Sequence, residues 1–168
     1  VRWAAEAARG QHFLDVGTGS GCIAISLKLR RPEATVRAWD ISLEAIDVAR
    51  KNAESLGADV QFEVQDLFTA PPMPATVVVS NPPYICEKER AEMAAHVVDF
   101  EPAQALFVPD DDPLRYYKAL AQLGAEEVFV EINAALRQAT ADAFRAAGYQ
   151  QIVCRKDEFG KDRFIYAC

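Results

Sequence analysis

Strand-like and helix-like patterns alternate along almost the whole chain, and this alternation leaves few folds open. It is the signature of a mostly parallel sheet whose crossover helices cover both faces. His12 to Val16 reads as a short apolar strand ending in a glycine cluster, and Cys22 to Arg30 as a helix that Pro32 stops. Thr35 to Asp40 reads as the second strand. Ser42 is placed to cap the next helix, in which Ile46, Ala49, Ala53 and Leu56 recur at helical spacing until Gly57 supplies the stop.

Val60, Phe62 and Val64 alternate with Gln61, Glu63 and Gln65, the pattern of a half-exposed strand at a sheet edge. Thr76 to Val79 is apolar on both faces and belongs at the centre. Asp112-Pro113 reads as a helix start, followed by an apolar stripe of Leu114, Tyr117, Leu120 and Ala121 up to Gly124. Glu127 to Ile132 reads as the fifth strand and Ala134 to Ala147 as a helix closed by Gly148. Tyr149 to Arg155 and Arg163 to Cys168 are two further strands, joined by a hairpin at Gly160. The expected class is α/β, with a seven-stranded, mostly parallel sheet, an antiparallel C-terminal hairpin and helices on both faces.

With 168 residues, 51% of them hydrophobic, the chain has enough apolar material for one sizeable core, and residues 1–168 are expected to form a single domain. A formal net charge of −7 disfavours a tight grip on a polyanion, so nucleic acid is not the expected partner. Cys22, Cys86, Cys154 and Cys168 form no CxxC pair and have no histidine pattern beside them, so neither metal nor a disulfide framework is indicated. A reducing cytoplasm is the natural location. No apolar run is long enough to span a bilayer, and the opening lacks the layout of a signal peptide. Val1 to Arg9 reads as part of a helix running straight into a strand, with no Met or capping signal ahead of it, as expected of a piece trimmed from a longer chain. Ile85 to Asp112 shows no clear periodicity and far exceeds the usual connection; loops of that length are commonly functional.

Two motifs carry chemistry. In Phe13-Leu14-Asp15-Val16-Gly17-Thr18-Gly19-Ser20-Gly21, three glycines stand between a buried strand and a helix, where the backbone admits close approach of a ligand. A dinucleotide fingerprint needs Gly at the sixth position counted from Gly17, and that position is Cys22, which weakens a nicotinamide reading. Asp40 ends the second strand about twenty residues beyond, where a carboxylate can accept both hydroxyl protons of a ribose. Asp66 takes the matching place after the third strand.

The second motif is Ser80-Asn81-Pro82-Pro83-Tyr84 at the end of the central strand, on the carboxyl edge where open parallel sheets bind ligands. An amide or aromatic amine is a poor nucleophile because its lone pair is delocalised. Acceptors placed on its two N–H groups draw that pair back onto nitrogen. Asn81 offers a side-chain carbonyl and Pro82 a backbone carbonyl, and the proline rings fix their directions by locking φ. Acceptors held in advance cost little reorganisation. The ring of Tyr84 can lie against a planar acceptor group and orient its nitrogen, and no strong general base is then needed.

The glycine turn with its acidic partners resembles the class I S-adenosylmethionine-dependent methyltransferases, over nearly the whole chain. That resemblance implies a Rossmann-like fold with S-adenosyl-L-methionine as cofactor and S-adenosyl-L-homocysteine as product. By it Gly17, Thr18, Gly19 and Gly21 border the cofactor, Asp15 orders the loop, Asp40 with Ile41 meets the ribose side, and Asp66 with Leu67 meets the adenine. Asn81 borders both cofactor and substrate. The Asn81 to Tyr84 tetrapeptide is similar to that of the amino-nitrogen methyltransferases.

Within these, Asn81 to Ile85, Asp99-Phe100-Glu101-Pro102, Ala105-Leu106-Phe107, Asp112 to Tyr117, Gly148-Tyr149 and Asp157 to Arg163 resemble the release factor glutamine methyltransferases. The resemblance implies N-methylation of the glutamine of a Gly-Gly-Gln motif in class 1 peptide chain release factors. It makes Asn81, Pro82 and Tyr84 catalytic and places Asn81, Pro82, Pro83, Tyr84 and Glu101 against the substrate. The family commonly has Gly and Gln where this chain has Asn133 and Arg137, and it carries a helical N-terminal domain that this sequence lacks. The expected state is a monomer acting on a protein partner, without a membrane. A ribosomal-protein glutamine methyltransferase shares the same motifs, and a base-amine methyltransferase would use the same tetrapeptide but should bring a basic groove. A regulatory cofactor-binding module or an oxidoreductase leaves Asn81 to Tyr84 unexplained. His12 and His96 receive no role.

Overall fold

Strands buried on both faces need apolar side chains at consecutive positions, and the runs that supply them here pair side by side. The computed structural model describes residues 1–74, 76–87 and 106–168. The strands are β1 (His12–Val16), β2 (Thr35–Asp40), β3 (Gln61–Val64), β4 (Val77–Ser80), β5 (Ile85–Cys86), β6 (Phe107–Val108), β7 (Glu127–Glu131), β8 (Ile152–Lys156) and β9 (Asp162–Ala167). The helices are α1 (Arg2–Ala7), α2 (Cys22–Arg30), α3 (Leu43–Leu56), α4 (Arg115–Gln122) and α5 (Arg137–Ala146).

Seven strands form one sheet of order β3-β2-β1-β4-β7-β9-β8. β1, β2, β3, β4 and β7 run parallel, and β9 is inserted antiparallel between β7 and β8. β3 lies at the edge and β4 at the centre, as the alternating and the fully apolar runs require. β5 and β6 make a separate two-residue parallel pair.

Successive strand residues point to opposite faces, so each buried strand feeds two cores. On one face Phe13, Val36, Val77 and Phe129 pack under Ala24 and Leu27 of α2 and Ile46 and Ala49 of α3. On the other, Leu14, Val78, Val128 and Ile165 pack under Tyr117 and Leu120 of α4 and Phe144 of α5. Each such large side chain removed from water contributes about 1.5–3 kcal/mol. A buried carboxylate ties the start of the chain to the sheet: Glu127 accepts from the backbone N–H of Arg9 (2.8 Å) and Gly10 (3.1 Å) and from the Tyr166 hydroxyl (2.8 Å). Burial raises the pKa of such a group, but these donors outweigh it and hold the Glu127 carboxyl below its usual range.

Several expected boundaries move. α1 ends at Ala7 and does not run straight into β1, because Ala8 leaves the helix with extended dihedrals and the following N–H groups bind Glu127. Asp112-Pro113 forms a turn instead of a helix start: the Asp112 carbonyl accepts from Arg115 N–H at 3.2 Å, and α4 begins at Arg115. Leu56 stands 57% exposed at the last turn of α3, so the buried stripe ends at Ala53. Residues 134–136 form a 3₁₀ turn capped by Asn133, and α5 proper starts at Arg137. The stretch from Ile85 to Asp112 contains β5 and β6, whose two-residue length is too short to show a period. No helix among the described residues is long and apolar enough to cross a membrane.

Candidate active site

Strand register brings the two motifs together. Val16 pairs with Trp39 on one side and with Ser80 on the other, so the glycine turn leaves the sheet between the ends of β2 and β4. Ser80 in turn pairs with Val130, which puts Asn81 in step with Glu131. The Ser80 hydroxyl donates to the Val16 carbonyl at 2.7 Å and fastens the exit of β4 to that of β1.

Gly17, Gly19 and Gly21 have φ of 72°, 54° and 84°, a left-handed backbone that only glycine adopts freely. A Cβ at Gly17 or Gly19 would meet nothing within 4 Å, so this side of the turn is open. At Gly21 the reason is packing, since a Cβ there would stand 3.1 Å from the Ala49 Cβ of α3. The N–H groups of Gly17 and Thr18 both donate to the Trp39 carbonyl at 2.9 Å.

Asp15 is fully buried beneath the turn. Its Oδ2 accepts from the Thr18 hydroxyl at 2.6 Å and from Ala24 N–H at 3.1 Å, joining the turn to the first residues of α2. Its Oδ1 has no partner among the described residues. Burial pushes the Asp15 carboxyl up to about 7, against the opposing pull of the two donors. Asp40 grips the turn from the neighbouring strand: Oδ2 accepts from Gly19 N–H at 2.8 Å and Oδ1 from Ser42 N–H at 3.0 Å. A carboxylate has about four lone-pair positions, so two stay available.

Past Asp40, Ile41 is 62% exposed. Asp66 caps the short turn Leu67–Thr69 through Oδ1, which accepts from Phe68 N–H at 2.9 Å, while Leu67 packs on the core. Arg115 lies over the Phe68 ring at 4.5 Å, beside a hollow of about 480 Å³.

In the tetrapeptide Asn81 is exposed, Pro82 buried, and Pro83 and Tyr84 half-buried. The Tyr84 hydroxyl donates to Glu131 Oε1 at 2.9 Å, and the Asn133 side-chain amide donates to the Tyr84 carbonyl at 3.3 Å. Burial, and then the nearby Glu131 charge, push the Tyr84 phenol up to about 12, so it stays a donor near neutrality. A cavity of about 650 Å³ borders Ser80, Asn81 and Glu131, with Trp3, Ile23 and Phe129 along its wall.

The structure thus brings Asp15, Gly17, Thr18, Gly19, Gly21, Asp40 and Asn81 to one edge of the sheet, with Ile41, Asp66 and Leu67 farther toward β3. Glu101 and Pro102 lie outside the described residues. Ser80, named in the sequence only as the start of its motif, Asn133, named only as a departure from the family pattern, and Glu131 make contacts at this edge that sequence reasoning did not assign. An acid ending the otherwise apolar run Val128 to Val130 was the available signal for Glu131. Arg137, at the other departure from the family pattern, pairs with Asp162 at 3.3 Å.

Residues 4–109 match the family model described as the methyltransferase small domain. A release factor glutamine methyltransferase of Bacteroides thetaiotaomicron is 49% identical over 166 residues, covering 94% of this chain and 60% of the relative. Its counterpart in Bacillus subtilis is 40% identical over 167 residues, covering 92% of this chain and 57% of the relative. The chain therefore spans somewhat over half the length of these relatives. Among solved structures, magnesium protoporphyrin IX methyltransferase from Synechocystis with bound SAM superimposes with a TM-score of 0.64 at 17% identity, covering 98% of this chain and 72% of that one. The catalytic domain of human Mettl16 in complex with an RNA hairpin gives 0.69 at 13% identity, covering 99% and 67%. These two likenesses establish a shared fold. At 49% and 40% identity across more than nine-tenths of its length, the chain belongs to the release factor glutamine methyltransferase family.

Proposed function

We propose that this chain transfers a methyl group from S-adenosyl-L-methionine to the side-chain amide nitrogen of a protein glutamine, the one in the Gly-Gly-Gln motif of class 1 peptide chain release factors. The observation that carries the reading is the register Val16 to Ser80, which sets the open glycine turn beside Asn81. A cofactor bed and a nitrogen-activating tetrapeptide then share one edge of the sheet.

The residues fit the cofactor. The open space beside Gly17 and Gly19 admits its methionine part against the backbone, and the buried, unpartnered Oδ1 of Asp15 leaves acceptor capacity under the turn. The two remaining lone-pair positions of Asp40 suit a ribose diol, and Ile41, Asp66 and Leu67 would flank the adenine. When bound, S-adenosyl-L-methionine supplies an electrophilic methyl on a sulfonium and leaves as S-adenosyl-L-homocysteine.

The chain's own part is to hold and polarise the acceptor. The Asn81 side-chain carbonyl and the Pro82 carbonyl accept from the two amide N–H groups and localise the lone pair, while Tyr84 sets the plane of the amide. Held there, the amide nitrogen would gain the methyl as the sulfonium releases it, and the surplus proton would pass to water. In this reading the 168 residues act as one catalytic domain, monomeric and working in the cytoplasm alongside translation. Glu101 would face the substrate.

The test is methyl-labelled cofactor with native release factor, a version whose glutamine is replaced, bulk RNA and bulk DNA. Label confined to the native release factor supports the assignment. Label on nucleic acid would keep the cofactor and tetrapeptide roles but overturn the substrate.

A further inference from the structure

Tyr84 is clamped at both ends by residues that leave the same strand. Its hydroxyl donates to Glu131 Oε1 at 2.9 Å, and its carbonyl accepts from the Asn133 side-chain amide at 3.3 Å. Both partners are themselves held. The Glu131 carbonyl accepts from the hydroxyl of the fully buried Tyr117 at 3.2 Å, and Asn133 Oδ1 accepts from Ala135 N–H at 3.0 Å. Arg163, which reaches Asp157 at 3.4 Å, places its guanidinium near both Tyr84 and Glu131.

The other end of the tetrapeptide is anchored through β4, where Ser80 binds the Val16 carbonyl. Between the anchors stand Pro82 and Pro83, each with φ locked by its ring. With both ends fixed and the middle stiff, the direction of the Pro82 carbonyl and the plane of the Tyr84 ring are determined together. Without the hydroxyl bond the ring keeps its packing against the core but loses the contact that sets its angle, and the C-terminal anchor loosens.

We infer that Glu131 is a positioning residue for methyl transfer: standing in register with Asn81 at the end of β7, it holds Tyr84 by the hydroxyl and so fixes the acceptor amide against the tetrapeptide. The inference rests on the reading of Asn81 to Tyr84 as the transfer site. Glu131 does not touch the reacting atoms, so its loss should affect turnover and leave cofactor affinity alone.

The experiment compares Glu131→Leu, Glu131→Gln, Tyr84→Phe and the Glu131→Leu/Tyr84→Phe double variant. Glu131→Leu is expected to lower kcat by about 10- to 100-fold, the scale of a misplaced reactant, with cofactor Kd changed less than about two-fold. Glu131→Gln keeps an acceptor oxygen and should recover most of the rate. Tyr84→Phe, which deletes the same hydrogen bond by one atom, should reproduce the loss, and the double variant should lose no more. Full turnover in Glu131→Leu, losses that multiply, or cofactor affinity that falls with kcat would each overturn the inference. Amide hydrogen exchange gives a readout independent of activity. At Tyr84 to Glu87 it should quicken by roughly ten-fold in Glu131→Leu but not in Glu131→Gln, with α2 unchanged. Unaltered exchange would reject the clamp, whereas a wild-type chain that methylates no acceptor would reject the reading of the site and leave the clamp to the exchange data.

Discussion

Replacing Asp15 by Asn should change how the unliganded protein's stability depends on pH. Asp15 is 0% exposed, and burial pushes its carboxyl up to about 7, where an unfolded chain has the ordinary 3.8. A folded pKa above the unfolded one means that the native state binds the proton more tightly. The stability this group contributes is therefore full below about pH 4 and is lost as pH rises through about 7. Across the whole window the loss amounts to about 4 kcal/mol, and between about pH 5 and about pH 7 it is about 2 kcal/mol. Asparagine keeps an oxygen for the Thr18 hydroxyl and Ala24 N–H but carries no titrating proton. Urea midpoints of wild type and Asp15→Asn, measured at matched ionic strength through this range, isolate the term, because all other groups are common to both. The gap between the two proteins should close or reverse in favour of the variant as pH rises. Parallel pH profiles would refute the argument, for they would mean that the buried carboxylate ionises at no extra cost.

Four further outcomes follow from the geometry. Asn81→Ala should lower methyl transfer by roughly 10²- to 10³-fold in a labelled-cofactor assay, the cost of losing one preorganised partner at the reacting group; full activity would end the proposed mechanism. Asp40→Ala removes the acceptor of both Gly19 N–H and Ser42 N–H, so calorimetry should show cofactor affinity falling at least about ten-fold while the circular dichroism spectrum is retained. Gly21→Ala forces a side chain at φ 84° and 3.1 Å from the Ala49 Cβ, which should cost roughly 2–3 kcal/mol in chemical denaturation. The open position at Gly19 should cost only the backbone part, about 1–2 kcal/mol.

What could be read along the chain was what local physics encodes. Three glycines between an apolar strand and a helix announce left-handed backbone, and φ is positive at each of them. The polar alternation of Gln61 to Val64 marks an edge, and the unbroken apolar run of β4 marks a centre. Ser42 caps α3 by accepting from Ala45 N–H at 3.1 Å, as its place before a helical period implies. What escaped depends on partners far away in sequence. Glu131 meets Tyr84 across 47 positions and Ser80 meets Val16 across 64, and only strand register brings them together. The sequence places Asp40 as a candidate ribose ligand, whereas its hold on Gly19 N–H is a contact that no spacing rule expresses. β5 and β6 escaped because two residues carry no period, and the start of α4 because Asp112-Pro113 can open a turn as readily as a helix.

The place of β9 between β7 and β8 has a consequence for how the molecule is made. β8 emerges from synthesis before β9, yet in the sheet it bonds to β9 alone. Its backbone groups stay without strand partners until Asp162 to Ala167 has been added, so this half of the sheet closes in a single late event instead of growing strand by strand. A chain interrupted before Asp162 would forfeit two strands for the absence of one, and it would leave β7 with an unpaired backbone edge open to any passing strand.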